Sequence, residues 1–172
     1  MHLAAANEYL KNHIKENASE FRKGAIAPDF VSDTDISHHS RSSIRDNALS
    51  FLLGKVVLKE CLGDFDMNTP FGRGYFFHLI TDYEYYRSLV KDRDMLSSMT
   101  YRERKDKLYH DYAATNRYFK EKYDVVLPDK AKQYDIDEPD ELQMIDTDEA
   151  SAIIEWLGRI DLNDYLEGVI TK

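Results

Sequence analysis

With 172 residues, the chain is long enough for one domain with a sizeable core. Its 32 acidic against 23 basic side chains, a net charge of -9, argue against nucleic acid or an anionic membrane surface as a partner held by net charge, although a bound metal ion can invert the local field for a phosphate. Cys61 is the single cysteine, which excludes a disulfide framework and a thiolate metal cluster. Met1-His2-Leu3-Ala4 lacks a basic region followed by an apolar run, so no signal peptide is expected. The longest apolar runs are too short to span a bilayer, and a soluble cytoplasmic protein is the default expectation.

In chain order the pattern predicts helices. Leu3, Ala6, Leu10, Ile14 and Phe21 recur at helical spacing over residues 3–22, with Gly24 as the expected stop. Pro28 breaks the apolar segment that follows and biases Ala27 away from helical geometry. A polar loop then runs through Asp33, Asp35, Ser37, His38, His39, Ser40 and Ser42. A second helix is predicted over 44–62, and a turn-rich connector over 63–74, punctuated by Pro70, Gly72 and Gly74. The third helix, over 75–91, is apolar on nearly every side. A fourth is predicted over 100–122, opened by Thr100-Tyr101-Arg102-Glu103 in the form of a capping box. Residues 123–127 read as extended, 129–146 as an acidic surface loop, 148–160 as a helix and 162–170 as a short amphipathic turn. The predicted architecture is an all-α, single-domain helical bundle over 1–172.

The third helix carries the chemistry. In Phe76-Phe77-His78-Leu79-Ile80-Thr81-Asp82-Tyr83 the His and Asp stand four apart, so they share one helical face. A carboxylate buried among such neighbours needs a cation or a full set of donors; the bland alternative is a His–Asp pair inside a core. The other histidines are His2, His13, His38, His39 and His110. His2 and His13 are separated by roughly 16 Å along a helix and cannot share a site. Asp29 after Pro28 is either a turn former or a ligand on a rigid turn. Together, His2, Asp29, His38 or His39, His78 and Asp82 make an imidazole–carboxylate set without cysteine, the ligand type of a catalytic zinc or mixed di-metal site.

Four motifs in order, Gly24-Ala25-Ile26-Ala27-Pro28-Asp29, Ser37-His38, Phe51-Leu52-Leu53-Gly54 and Phe77-His78-Leu79-Ile80-Thr81-Asp82, resemble the zinc-dependent phospholipase C and single-strand nuclease superfamily across residues 2–90. The resemblance implies an all-α fold of that type and metal-assisted hydrolysis of a phosphodiester or phosphate ester, with a small phosphate ester or lipid headgroup as substrate. It implies zinc ligands at His2, Asp29, His38 (with His39 as fallback), His78 and Asp82, and Asp29 as the catalytic carboxylate beside the attacking water. Secreted members also use the free amino group of the processed chain, and processing of that kind is not expected here. The family has a later His and a His-x-x-x-Glu pair. Here the later histidine is His110 with Ala114 four residues on, so Asp111 is the implied substitute, Asn116 a further one, and one or two ions are expected rather than three.

Asp and Tyr residues near His78 are candidate acceptors for fixing imidazole tautomers, and Arg41, Arg45, Arg73 and Arg87 are candidate phosphate contacts. Two other readings fit parts of the chain. One is an all-α metal phosphohydrolase using His38 or His39, then His110-Asp111, then Asp146. The other is a non-catalytic binding module with a degenerate site.

Overall fold

A computed structural model describes residues 1–13, 17–32, 37–38, 58–59, 62–89, 99–126 and 147–171. The helices are α1 (His2–Asn12), α2 (Ala18–Ile26), α3 (Pro70–Leu89), α4 (Tyr101–Lys122), α5 (Thr147–Leu157) and α6 (Leu162–Thr171), with 3-10 turns at Ala27–Phe30 and Leu62–Asp64. Among the described residues there is no strand, and the fold is all-α. No described helix is long and apolar enough to cross a membrane.

The first predicted helix is two helices. Asn17 caps α2 by accepting from the Glu20 backbone N–H, a side-chain cap that starts a new helix inside what periodicity reads as one. Gly24 does not stop α2, which continues to Ile26. The third helix begins five residues earlier than its apolar run, at Pro70. Proline suits a first helical turn, and the Thr69 hydroxyl accepts from the Gly72 N–H there.

Gly72 and Gly74 are therefore inside the helix, and Gly74 has a packing reason. A Cβ placed on it would lie 2.1 Å from the Phe21 carbonyl oxygen, and one on Gly24 would lie 2.1 Å from the Phe71 carbonyl oxygen. The two glycines let α2 and α3 cross backbone to backbone, and this is the most extensive helix pairing among the described residues.

Around that crossing sits the core. Phe21, Phe76, Phe77, Leu58, Ile80, Ile154 and Leu157 are all fully buried, each contributing about 1.5–3 kcal/mol by leaving water. Ala4, Ala5 and Ala6 give α1 a small-residue face, and α1 packs against α2, α3 and α5. Farther along, Tyr112 of α4 meets Tyr85 of α3 at 5.9 Å between ring centroids. The Tyr165 hydroxyl of α6 donates to Glu84 of α3 at 2.9 Å.

Helix α4 matches its predicted span, and both halves of the Thr100–Glu103 capping box form. It ends in a left-handed turn rather than an extended segment. Asp124 has φ 50°, tolerable for Asp, and the Val125 N–H returns to the Lys120 carbonyl at 3.1 Å, the closing bond of a Schellman-type cap. The predicted 162–170 turn is the ten-residue helix α6. Nearly all of the predicted 44–62 helix, the acidic 129–146 loop, Cys61, His39 and Asp146 lie outside the described residues.

Candidate metal centre

Helix α2 ends at Ile26, where the Ala27 N–H donates to the Lys23 and Gly24 carbonyls and the carbonyls beyond them look for donors outside the helix. Ala25 offers its carbonyl to Nδ1 of His78 at 2.8 Å. A carbonyl can only accept, so Nδ1 of His78 carries the hydrogen and Nε2 carries the lone pair. His78 is fully buried, and its ring cannot turn without breaking that bond.

Nε2 of His78 points at a gathering of the predicted ligands. The 3-10 turn after α2 sets Asp29 beside it, the i+4 spacing sets Asp82 beside it, and the start of α1 lays the His2 ring on the His78 ring. The two rings stack with centroids 3.7 Å apart. Nε2 of His38 lies 3.0 Å from Nε2 of His78.

The carboxylates divide their oxygens. Oδ1 of Asp29 faces His38 at 3.4 Å and His78 at 3.9 Å, while its Oδ2 faces His2 at 3.9 Å. Oδ2 of Asp82 faces His78 at 3.5 Å and His38 at 3.6 Å, while its Oδ1 faces His2 at 3.3 Å. Two groups that could hold a metal ion result, His2 with Asp29 and His78, and His38 with His78 and Asp82.

His38 is oriented from behind. The Ser37 hydroxyl donates to the Pro28 carbonyl at 2.7 Å and stands 3.0 Å from Nδ1 of His38. With its one hydrogen on Pro28, Oγ is left as an acceptor toward the ring. The Nε2 atoms of His38 and His78 thus approach each other at hydrogen-bond distance.

Burial and the mixed charges of the cluster set its electrostatics. Burial pushes the His2 imidazole down to about 3, with His78 adding to the effect and the two carboxylates opposing it, so His2 is neutral at pH 7. Burial raises the Asp82 carboxyl, but the imidazoles of His2, His78 and His38 outweigh it and hold the group below its ordinary value. For Asp29, burial likewise raises, and the imidazoles of His38, His2 and His78 beside it prevail. Burial also lowers the Met1 amino group against the pull of Asp29 and Asp82. Asp29 and Asp82, three imidazoles and the Met1 amino group thus interact within one small volume.

The structure thus brings together His2, Asp29, His38, His78 and Asp82. Asp111 is in neither group; it is fully buried on α4, with Nδ1 of His110 at 3.4 Å. Asn116 is exposed on the same helix. His13 lies at the end of α1, stacked on Tyr9 and within 2.8 Å of the Tyr9 carbonyl. Arg73 bonds the Met67 carbonyl and Arg87 pairs with Glu84; Arg41 and Arg45 lie outside the described residues.

The group that fixes the His78 tautomer is the Ala25 carbonyl rather than an Asp or Tyr side chain, and the group against Nδ1 of His38 is the Ser37 hydroxyl. A backbone carbonyl leaves no trace in sequence, whereas Ser37 stood next to His38 and was legible as a neighbour without a role.

Fold and site together define an all-α protein with His/Asp groups that could hold a metal ion. No protein-family model, no curated protein and no solved structure matches the chain.

Proposed function

We propose that the chain is a zinc-dependent hydrolase of phosphate esters, of the phospholipase C and single-strand nuclease kind. One observation carries the metal half of the reading: the Nε2 atoms of two imidazoles approach to 3.0 Å between two carboxylates. Zinc–donor bonds of about 2.0–2.1 Å place neighbouring donors of a tetrahedron about 3.3 Å apart. The observed separations of 3.0–3.6 Å among His38, His78 and Asp82 bracket that value. Those three residues would hold one ion; His2 with Asp29 and His78 is the second grouping of donors, sharing His78 with the first. The phosphate half rests on the order of motifs from Gly24 to Asp82.

When bound, such an ion supplies Lewis acidity to a phosphoryl oxygen and to a water. The chain's own residues do the rest. His78 and His38 keep their lone pairs forward because their Nδ1 hydrogens are committed. Asp29 has a side chain 49% exposed and reaches solvent from the edge of the cluster. Held below the ordinary carboxylate range, it is a weak base, so its part is to orient a water by accepting its hydrogen bond.

The test is metal content of the purified protein by mass spectrometry, then hydrolysis of an aryl phosphodiester with and without zinc. His78→Ala and Asp82→Ala lose both metal and hydrolysis. Variants retaining full metal and full rate refute the proposal.

A further inference from the structure

The five residues at the metal centre come from four stretches of chain, with only His78 and Asp82 sharing a helix, and something must hold those stretches in register. Pro28 precedes Asp29, Ser37 precedes His38, and Tyr75 sits three residues before His78 on the same helix. These three are joined in a row. The Ser37 hydroxyl donates to the Pro28 carbonyl at 2.7 Å, and the Tyr75 hydroxyl donates to the Ser37 carbonyl at 2.7 Å. Ser37 is 6% exposed and Pro28 is fully buried, so water does not readily substitute for a lost hydroxyl.

We propose that Ser37 is a positioning residue that locks His38 in its Nδ1–H tautomer and aims the Nε2 lone pair at Asp29 and Asp82, while tying the Asp29 turn to the His38 segment. The argument is one of hydrogen counting. Pro28 offers only an acceptor, so the single Ser37 hydrogen goes there, and the remaining lone pairs of Oγ must take a hydrogen from the imidazole. A neutral histidine without such a partner favours the opposite tautomer, with the hydrogen on Nε2. In that form His38 would present a donor where the cluster needs an acceptor. Outer partners of this kind change metal affinity by about 10–100-fold when removed.

The inference rests on the reading of these residues as metal donors, yet its first readout needs no metal. Nitrogen–proton NMR correlations of the histidine rings, recorded on chelator-treated protein in mildly alkaline buffer, report which nitrogen carries the hydrogen. The wild type shows His38 as Nδ1–H, Ser37→Ala shifts it to Nε2–H, and Ser37→Thr, which restores a hydroxyl, restores Nδ1–H. Tyr75→Phe leaves the Ser37 hydroxyl in place and keeps the wild-type tautomer. Cobalt titration by visible absorbance then finds Ser37→Ala weakened about 10–100-fold and Ser37→Thr close to wild type. An Nε2–H ring in the wild type, or an Nδ1–H ring in folded Ser37→Ala, overturns the inference. Failure of cobalt to bind the wild type overturns the metal reading instead, and leaves the tautomer measurement to judge Ser37.

Discussion

Gly74→Ala is the sharpest probe of how the fold holds its site. The added Cβ would lie 2.1 Å from the Phe21 carbonyl oxygen, 2.9 Å from its carbon and 3.1 Å from the Ala25 nitrogen. All three are backbone atoms of α2 and cannot swing aside. Carbon contacts relax near about 3.5 Å, so α2 must retreat from α3 by about 1 Å or more. Overpacking of this kind costs about 1–3 kcal/mol, against about 1 kcal/mol gained by replacing a helical glycine with alanine.

A net loss of up to about 2 kcal/mol is expected in urea unfolding followed by circular dichroism. The same retreat would stretch the bond between Ala25 and His78, now 2.8 Å, beyond hydrogen-bonding range, and carry Asp29 outward. Zinc or cobalt binding should weaken about 10–100-fold. Gly168→Ala is the control: nothing lies within 4 Å of its added Cβ, so it should gain up to about 1 kcal/mol. A Gly74→Ala protein with wild-type stability and wild-type metal affinity would refute the idea that this crossing sets the site.

Acid should unfold the chelator-treated protein by way of His2. Its ring is pushed from about 6.5 to about 3 on folding, so between those values the unfolded chain binds a proton that the folded one refuses. Stability is then fully present above about 6.5 and falls as pH drops toward about 3; His2→Gln should flatten this slope in urea midpoints taken across the range. Asp29 and Asp82, both held low, add a loss of the same sign once pH falls below the unfolded carboxylate value of about 3.9. Thr100→Ala removes the cap of α4 and should cost about 0.5–2 kcal/mol with metal affinity unchanged, as read by paired unfolding and titration. His110→Ala should also leave metal content intact; loss of metal there would favour the reading built on His110-Asp111 instead.

The all-α fold and the His78–Asp82 pair were legible from spacing, whereas His2, Asp29 and His38 were joined to that pair by residue type and by the order of motifs. His78 and Asp82 share a face at any helical i+4 pair, and the aromatic run around them announced burial. Boundaries were harder. Gly72 and Gly74 read as breakers, because a one-dimensional pattern cannot distinguish a glycine that ends a helix from one that lets another helix touch it. Asn17 fell inside the span 3–22 read as one helix, since its cap is visible only once the hydrogen bond to Glu20 is seen. Asp111 was chosen by its neighbour His110, and sequence proximity said nothing about the distance between α4 and the start of α1. The Ala25 and Pro28 carbonyls could not have been found, because every residue has one.

Among the five donors, freedom of movement is unequally shared. His78 has its rotamer fixed by complete burial and a carbonyl partner, so it surrenders almost no entropy on taking up a cation. Asp29 borders solvent. Exchange kinetics at the centre should therefore be governed by that one carboxylate opening and closing, and natural variation in and around the turn that carries it is where residence time would be tuned while the buried ring stays as it is.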